Sequence, residues 1–233
     1  QAVQAEAAVV EAEVNMSPIL MKPIADDMSQ IILQGKVFKN MKAAAYFAEK
    51  ERLLKIIKEA VFELKEDYDL LVLEGGGNPA EVNLRDKDLV NMKAAEIAEA
   101  PVILVADIDK GGVFASIVGT LDLLTETERK RVKGIIVNKF RGDPQSFKSG
   151  VELIEKHCQK KVLGVMPYLE ELNLPAEDSL QQEIYTEQDY KLELAVIAYP
   201  GMSNFTDFDY FKTAAAIQLR YVKKESELGE PDL

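Results

Sequence analysis

Short apolar runs recur along the chain at intervals: Leu70-Leu71-Val72-Leu73, Val102-Ile103-Leu104-Val105, Gly134-Ile135-Ile136-Val137 and Leu194-Ala195-Val196-Ile197, with a shorter one at Val162-Leu163-Gly164-Val165. Runs of this length without polar alternation suit strands covered on both faces. Stretches with helical spacing precede or separate most of them. Residues 41–66 carry apolar groups at helical intervals with charges opposite, and 88–99, 111–131 and 146–159 do likewise. Strands alternating with helices predict an α/β fold, a mostly parallel sheet flanked by helices with right-handed crossovers. Such sheets bind ligands beyond the carboxyl ends of their strands.

The residues after each run are polar and unusual. Leu73 is followed by Glu74-Gly75-Gly76-Gly77-Asn78-Pro79, and Val105 by Ala106-Asp107-Ile108-Asp109-Lys110-Gly111-Gly112. Val137 is followed by Asn138-Lys139-Phe140-Arg141-Gly142-Asp143, and Val165 by Met166-Pro167-Tyr168. This is more acid, amide and glycine than connections alone require. Residues 169–190, acidic and polar, read as a linker or surface excursion before the last run.

Composition narrows the class. With 233 residues, 29% charged and 47% apolar, the chain can bury a real core and is not disordered. A net charge of −12 argues against long-range attraction to nucleic acid or an anionic membrane. No apolar run approaches the length of a membrane helix. The single cysteine, Cys158, excludes an internal disulfide and a zinc site built on several cysteines, which fits a reducing, cytoplasmic setting. The first residues, QAVQAEAAVVEAEV, lack the basic region of a signal peptide and read as a chain entering mid-helix. The last, ESELGEPDL, stop without a closing element, so the chain is expected to be part of something longer.

Each candidate carries a structural reading beside the chemical one. Glu74 opens a triple-glycine turn through which a backbone can approach a ligand, and a carboxylate there suits Mg²⁺, which takes one or two carboxylates plus phosphate oxygens. Asp86 and Asp88 stand where a helix begins; Asp88 either caps that helix or meets a reacting carboxyl group. Lys22 follows an apolar Ile19-Leu20-Met21 and can meet phosphate as a point charge, with Asp26 as a second metal ligand; alone, these are a surface lysine and a turn. The stretch from Asp107 to Gly112 invites comparison with a phosphate loop, but no G-x-x-x-x-G-K-[ST] occurs in the 233 residues. Asn138 opens a stretch resembling a nucleotide-base loop, because an amide both donates to and accepts from a purine edge. Its spacing to Asp143 is too long for guanine reading, which leaves adenine. His157 and Cys158, adjacent on a helix, point apart and read as a helix-end pair.

At Asn15-Met16-Ser17-Pro18-Ile19-Leu20-Met21-Lys22-Pro23, Glu74 to Leu84, Asp88-Leu89-Val90-Asn91-Met92, Ala106 to Ala115, Asn138 to Asp143 and Ser203-Asn204-Phe205-Thr206-Asp207-Phe208-Asp209, the sequence resembles the cobyric acid synthase family of glutamine-dependent amidotransferases. The order of the strings matches, and Gln4-Ala5-Glu6-Ala7-Ala8 extends the likeness upstream. The resemblance implies a dethiobiotin-synthetase-like P-loop NTPase fold with its first strand, loop and helix missing. Residues 1–200 would form the ATP-dependent synthetase domain, incomplete at its N-terminus, and 201–233 a linker and the start of a glutaminase-like domain.

The implied reaction amidates the b, d, e and g carboxylates of adenosylcobyrinic acid a,c-diamide, giving adenosylcobyric acid in cobalamin biosynthesis. ATP and Mg²⁺ would activate each carboxylate as an acyl phosphate, and ammonia from glutamine, released in the missing glutaminase domain, would displace the phosphate. By the same resemblance Glu74 and Asp26 hold metal, Lys22 faces phosphate or substrate, Asp88 lies near the reacting carboxylate, and Asp107 and Asn138 lie on the nucleotide side. Without phosphate cradle or ammonia source, the chain alone is expected to be inactive. No nucleic acid or membrane partner is expected; a homo-oligomer is left open, since the sequence does not decide the oligomeric state. The chain departs from the family at Val9, where glycine is usual, at Gly76 and Asn78, at Asp27-Met28, at Lys93 and at Lys110. The competing reading is a fragment of a MinD/ParA-like regulatory ATPase, against which stand the absent deviant P-loop and the Glu-Gly-Gly-Gly-Asn-Pro-Ala-Glu string.

Overall fold

In the computed structural model, residues 2–25, 27–169, 190–199, 205–212, 214 and 216–233 are described. The chain divides into two compact units, Gln1–Glu170 and Glu171–Leu233.

The first unit opens with helix α1 (Ala2–Ala8), followed by an antiparallel sheet of β1 (Ile19–Ala25), β2 (Met28–Leu33) and β3 (Lys36–Met41), with β2 central. The two hairpins put Ile31 and Leu33 of β2 into a core with Met41, Tyr46, Leu53 and Leu89. Helices α2 (Ala43–Ala48) and α3 (Lys50–Asp67) then replace the single helix expected over 41–66, with a break at Glu49. Helix α3 buries Leu53, Ala60, Val61 and Leu64, a stripe at helical spacing.

The second half of this unit holds the parallel sheet. After α4 (Met92–Ile97) come β4 (Val102–Asp107), α5 (Val113–Leu123), α6 (Glu126–Arg131), β5 (Val132–Phe140), α7 (Lys148–Cys158) and β6 (Lys161–Pro167), in strand order β4-β5-β6 with both pairs parallel. The α/β fold with a parallel, helix-flanked sheet is therefore present. Ile135 and Val137 of the central strand are fully buried and pack with Ile117, Leu121, Ile154 and Cys158 of α5 and α7. Thr125 caps α6 in a reciprocal box with Glu128. Basic side chains finish the helix ends: Lys160 donates to the Arg129 and Val132 carbonyls at 2.8 and 2.7 Å.

Two strand expectations need correction. Leu70-Leu71-Val72-Leu73 forms no strand and belongs to no ladder among the described residues, with Leu70 79% and Val72 82% exposed. An apolar, β-prone run becomes a strand only against a partner edge, and the described backbone gives it none. Nor do the described residues cover both faces of the sheet. Val102, Leu104 and Ala106 pack into the core, whereas Ile103 and Val105 between them are 50% and 57% exposed.

In the second unit, β7 (Leu192–Ile197) pairs in parallel with β8 (Ile217–Val222), and α8 (Asp209–Lys212) lies between them in sequence. The run Leu194–Ile197 is thus a strand, but its partner is β8. Arg220 holds this unit together by donating to Glu193 and to the Glu227 and Leu228 carbonyls.

Candidate active site

The carboxyl ends of β4 and β5 are in register, with Asp107 opposite Asn138. Acids then stand at 107 and 109 on one chain segment and bases at 139 and 141 on its neighbour. The outcome is two cross-strand ion pairs. Lys139 Nζ lies 2.8 Å from Asp107 Oδ2, and Arg141 Nε donates to Asp109 Oδ1 at 2.7 Å. The Lys139 ammonium holds the Asp107 carboxyl below the usual carboxylate range, and Asp107 in turn raises the lysine.

The backbone is bent to make this contact. Register shifts between Val137 and Phe140 of β5 against β6, and Lys139 has φ +61°. A bulge re-aims a side chain, and a non-glycine residue with positive φ is strained. The Lys139 N–H donates to Asn138 Oδ1 at 2.9 Å, which fixes the Asn138 amide as well. Asp107 accepts from the Asp109 N–H, turning the chain toward Gly111 and Gly112. Both glycines have positive φ, and a Cβ on either would meet nothing within 4 Å, so the backbone before α5 lies open to a ligand.

A second cluster joins the glycine turn to the start of α4. Asn91 Nδ2 donates to the Gly76 carbonyl at 2.7 Å, and a Cβ on Gly75 would collide with Asn91 Oδ1. Asp88 accepts from three backbone N–H groups: Val90 and Asn91 on Oδ1, Lys93 on Oδ2. Asp88 is not the N-cap expected from sequence: that position is Asn91, and Asp88, three residues earlier, ties the turn before α4 to the first turn of the helix. Glu74 is exposed and accepts from Gln4 Nε2 of α1 at 3.1 Å. Beside Asp88 lies a cavity of about 220 Å³ lined by both charges, among them Lys50, Arg85, Asp86, Glu96 and Arg131.

Of the residues singled out from sequence, the structure brings together Asp107 with Asn138 and, through the glycine turn and Asn91, links the loop of Glu74 with that of Asp88. Lys22 is exposed within β1, opposite Gln30, rather than at a strand end. No hydrogen bond or ion pair among the described residues joins it to the others. Asp26 lies outside the described residues. Mg²⁺ demands one or two carboxylates plus phosphate oxygens. Glu74, exposed in its glycine turn, meets that demand as a single ligand, and no cluster of three His, Cys, Asp or Glu exists among the described residues. Sequence reasoning missed Lys139, Asp109, Arg141, Tyr168 and Gln4. The complementary spacing of acids at 107 and 109 and bases at 139 and 141 was the available signal, readable once the two strands are placed in register.

No helix among the described residues is long and apolar enough to cross a membrane. A family model described as an AAA domain matches residues 20–176. The chain is 51% identical over 236 residues to a cobyric acid synthase of Thermoanaerobacter sp. (strain X514), covering 100% of this chain and 46% of that relative. It is 50% identical to those of Geobacillus sp. (strain WCH70) and Yersinia enterocolitica serotype O:8, again over 100% of this chain and 47% and 46% of the relatives. The chain thus spans about half the length of the curated relatives it matches. No solved structure matches it. A family match over most of the chain, together with half-identity along its full length to proteins of one name, establishes that it belongs to the AAA domain family and resembles the cobyric acid synthases throughout.

Proposed function

We propose that the chain is the larger part of the ATP-dependent synthetase portion of a cobyric acid synthase. The observation that carries this reading is the match, at about half identity over all of this chain, to relatives of that name. In the full-length enzyme it amidates the b, d, e and g carboxylates of adenosylcobyrinic acid a,c-diamide in the cytoplasm, with nitrogen from glutamine. The chain by itself is inactive. On this reading residues 1–200 serve the synthetase chemistry and 201–233 lead into a glutaminase-like portion.

The chemistry asks for such a rim. A carboxylate resists ammonia because it has no good leaving group. Transfer of the ATP γ-phosphoryl to the carboxylate oxygen gives an acyl phosphate; ammonia attacks the carbonyl carbon, the C–O bond to phosphate breaks and inorganic phosphate leaves. Such transfer depends on positioning and on neutralising charge. Mg²⁺, when bound, would neutralise the phosphate oxygens. Glu74 would hold it, with Asp26 the second ligand. Lys22 faces phosphate or substrate, Asp88 orients the reacting carboxylate or ammonia, and Asp107 and Asn138 lie beside the nucleotide. Gly77, Gly111 and Gly112, where a Cβ would meet nothing within 4 Å, support this by leaving the backbone accessible.

The test is Glu74→Gln in the full-length enzyme, followed by Mg²⁺-dependent ADP release. Turnover falls by about two orders of magnitude if a ligand to the metal is lost, in keeping with the typical 10- to 100-fold and larger effects of weakening a metal site. An unchanged rate at every Mg²⁺ concentration removes Glu74 from that role.

A further inference from the structure

We propose that Arg141 and Tyr168 form a flat platform on which the purine ring of the nucleotide stacks; the inference rests on the nucleotide-binding reading above and adds the base contact that reading lacks. The Arg141 guanidinium carbon lies 3.5 Å from the centroid of the Tyr168 ring, a face-to-face contact distance. Three strand ends set this stack. Phe140 of β5 is in register with Pro167 of β6, and the Tyr168 N–H donates to the Phe140 carbonyl at 2.8 Å, so Arg141 and Tyr168 leave adjacent strands side by side. From the β4 side, Asp109 accepts from Arg141 Nε at 2.7 Å and stops the side chain from turning away.

Charge decides what this platform takes. Arg141 is neutralised by Asp109 and Lys139 by Asp107, so neither offers an unpaired charge to a triphosphate. What it offers is a plane. One face of the guanidinium is covered by tyrosine, while the Arg141 side chain remains 54% exposed. A weakly hydrated, planar cation of this kind stacks on aromatic rings. Its rotamer is already fixed, so little freedom is lost when a base arrives. Asn138, three residues earlier on β5, spends Oδ1 on the Lys139 N–H; its Nδ2 makes no hydrogen bond among the described residues and remains a donor for a ring nitrogen of the base.

The test uses the natural full-length polypeptide, titrated calorimetrically with ATP and with inorganic tripolyphosphate, each with Mg²⁺. Tyr168→Leu and Arg141→Lys are expected to weaken ATP about tenfold or more, the scale of one lost base stack, and to leave tripolyphosphate unchanged. Tyr168→Phe is expected to keep ATP affinity within about twofold, because the ring face remains. Unchanged tripolyphosphate binding also shows that each variant is folded. ATP binding unaffected by both Tyr168→Leu and Arg141→Lys overturns the platform alone and leaves the nucleotide reading standing. Parallel weakening of ATP and tripolyphosphate also overturns it, since a stack cannot act on a ligand with no base. A wild type that binds neither ligand sinks the nucleotide reading, and the platform with it.

Discussion

Replacing Val9 by glycine is expected to stabilise the N-terminal helix, and the size of the gain follows from its cap. Helix α1 ends at Ala8, after which the Val9 N–H donates to the Glu6 carbonyl and the Val10 N–H to the Ala5 carbonyl, both at 3.0 Å. This pair of bonds is the Schellman arrangement, whose first residue beyond the helix must be left-handed. Val9 obliges with φ +58°, although it is β-branched. Holding an L-residue there costs roughly 1–2 kcal/mol. Glycine removes that cost but adds about 0.5–1 kcal/mol of chain entropy to folding. Val9 is 90% exposed, so no packing is lost. The balance is about 1 kcal/mol in favour of glycine, or roughly fivefold in a local opening constant. Native-state hydrogen exchange at the Val10 amide, corrected for intrinsic rate, reads this directly: protection rises about fivefold in Val9→Gly and by less in Val9→Ala, which keeps a Cβ. Protection unchanged or lowered in Val9→Gly refutes the cap argument. The helix matters to the site because its Gln4 holds Glu74.

Other consequences are open to measurement. Ile135→Ala, at the fully buried centre of β5, is expected to cost about 2–5 kcal/mol in urea unfolding; a loss below about 1 kcal/mol means that the core around it collapses freely. Asp107, held down by Lys139, is expected to titrate below the ordinary aspartate value of about 3.9 when its carboxyl carbon is followed by NMR. The pair then stabilises the fold above that ordinary value and loses its contribution as pH falls through the lowered midpoint, and Lys139→Met moves the midpoint back up. Asp88→Asn leaves one oxygen for three backbone donors, an expected loss of about 1 kcal/mol. If full-length turnover falls no further than this loss of folded protein explains, Asp88 serves only to hold the turn before α4.

How much of this was readable from sequence depends on which forces decide each feature. Ile135, Val137, Ile154 and Cys158 carry their burial in their own chemistry, and the β-α-β spacing from Val102 to Val165 determines a parallel sheet. The run at Leu70–Leu73 misled because strand formation is decided by a partner edge, which composition does not encode. At Asp88 the sequence left cap and chemistry open; the N-cap proves to be Asn91, and the Asp88 carboxylate binds three backbone N–H groups across the turn and first residues of α4. The Lys139–Asp107 contact was hidden for another reason. It depends on a bulge in β5 that turns Lys139 against its conformational preference, and nothing in Asn-Lys-Phe-Arg announces one. The departure at Val9 was legible in sequence as a missing glycine, and the positive φ gives it physical meaning.

The proposed role of this α/β unit is to activate a corrinoid carboxylate by phosphorylation. The most direct measurement supplies the full-length enzyme with ATP, Mg²⁺, glutamine and adenosylcobyrinic acid a,c-diamide whose free carboxylates carry heavy oxygen, and analyses the released phosphate by mass. One labelled oxygen in phosphate for each amide formed is the expected result. Amide formation with unlabelled phosphate, or with AMP and pyrophosphate as products, would contradict it.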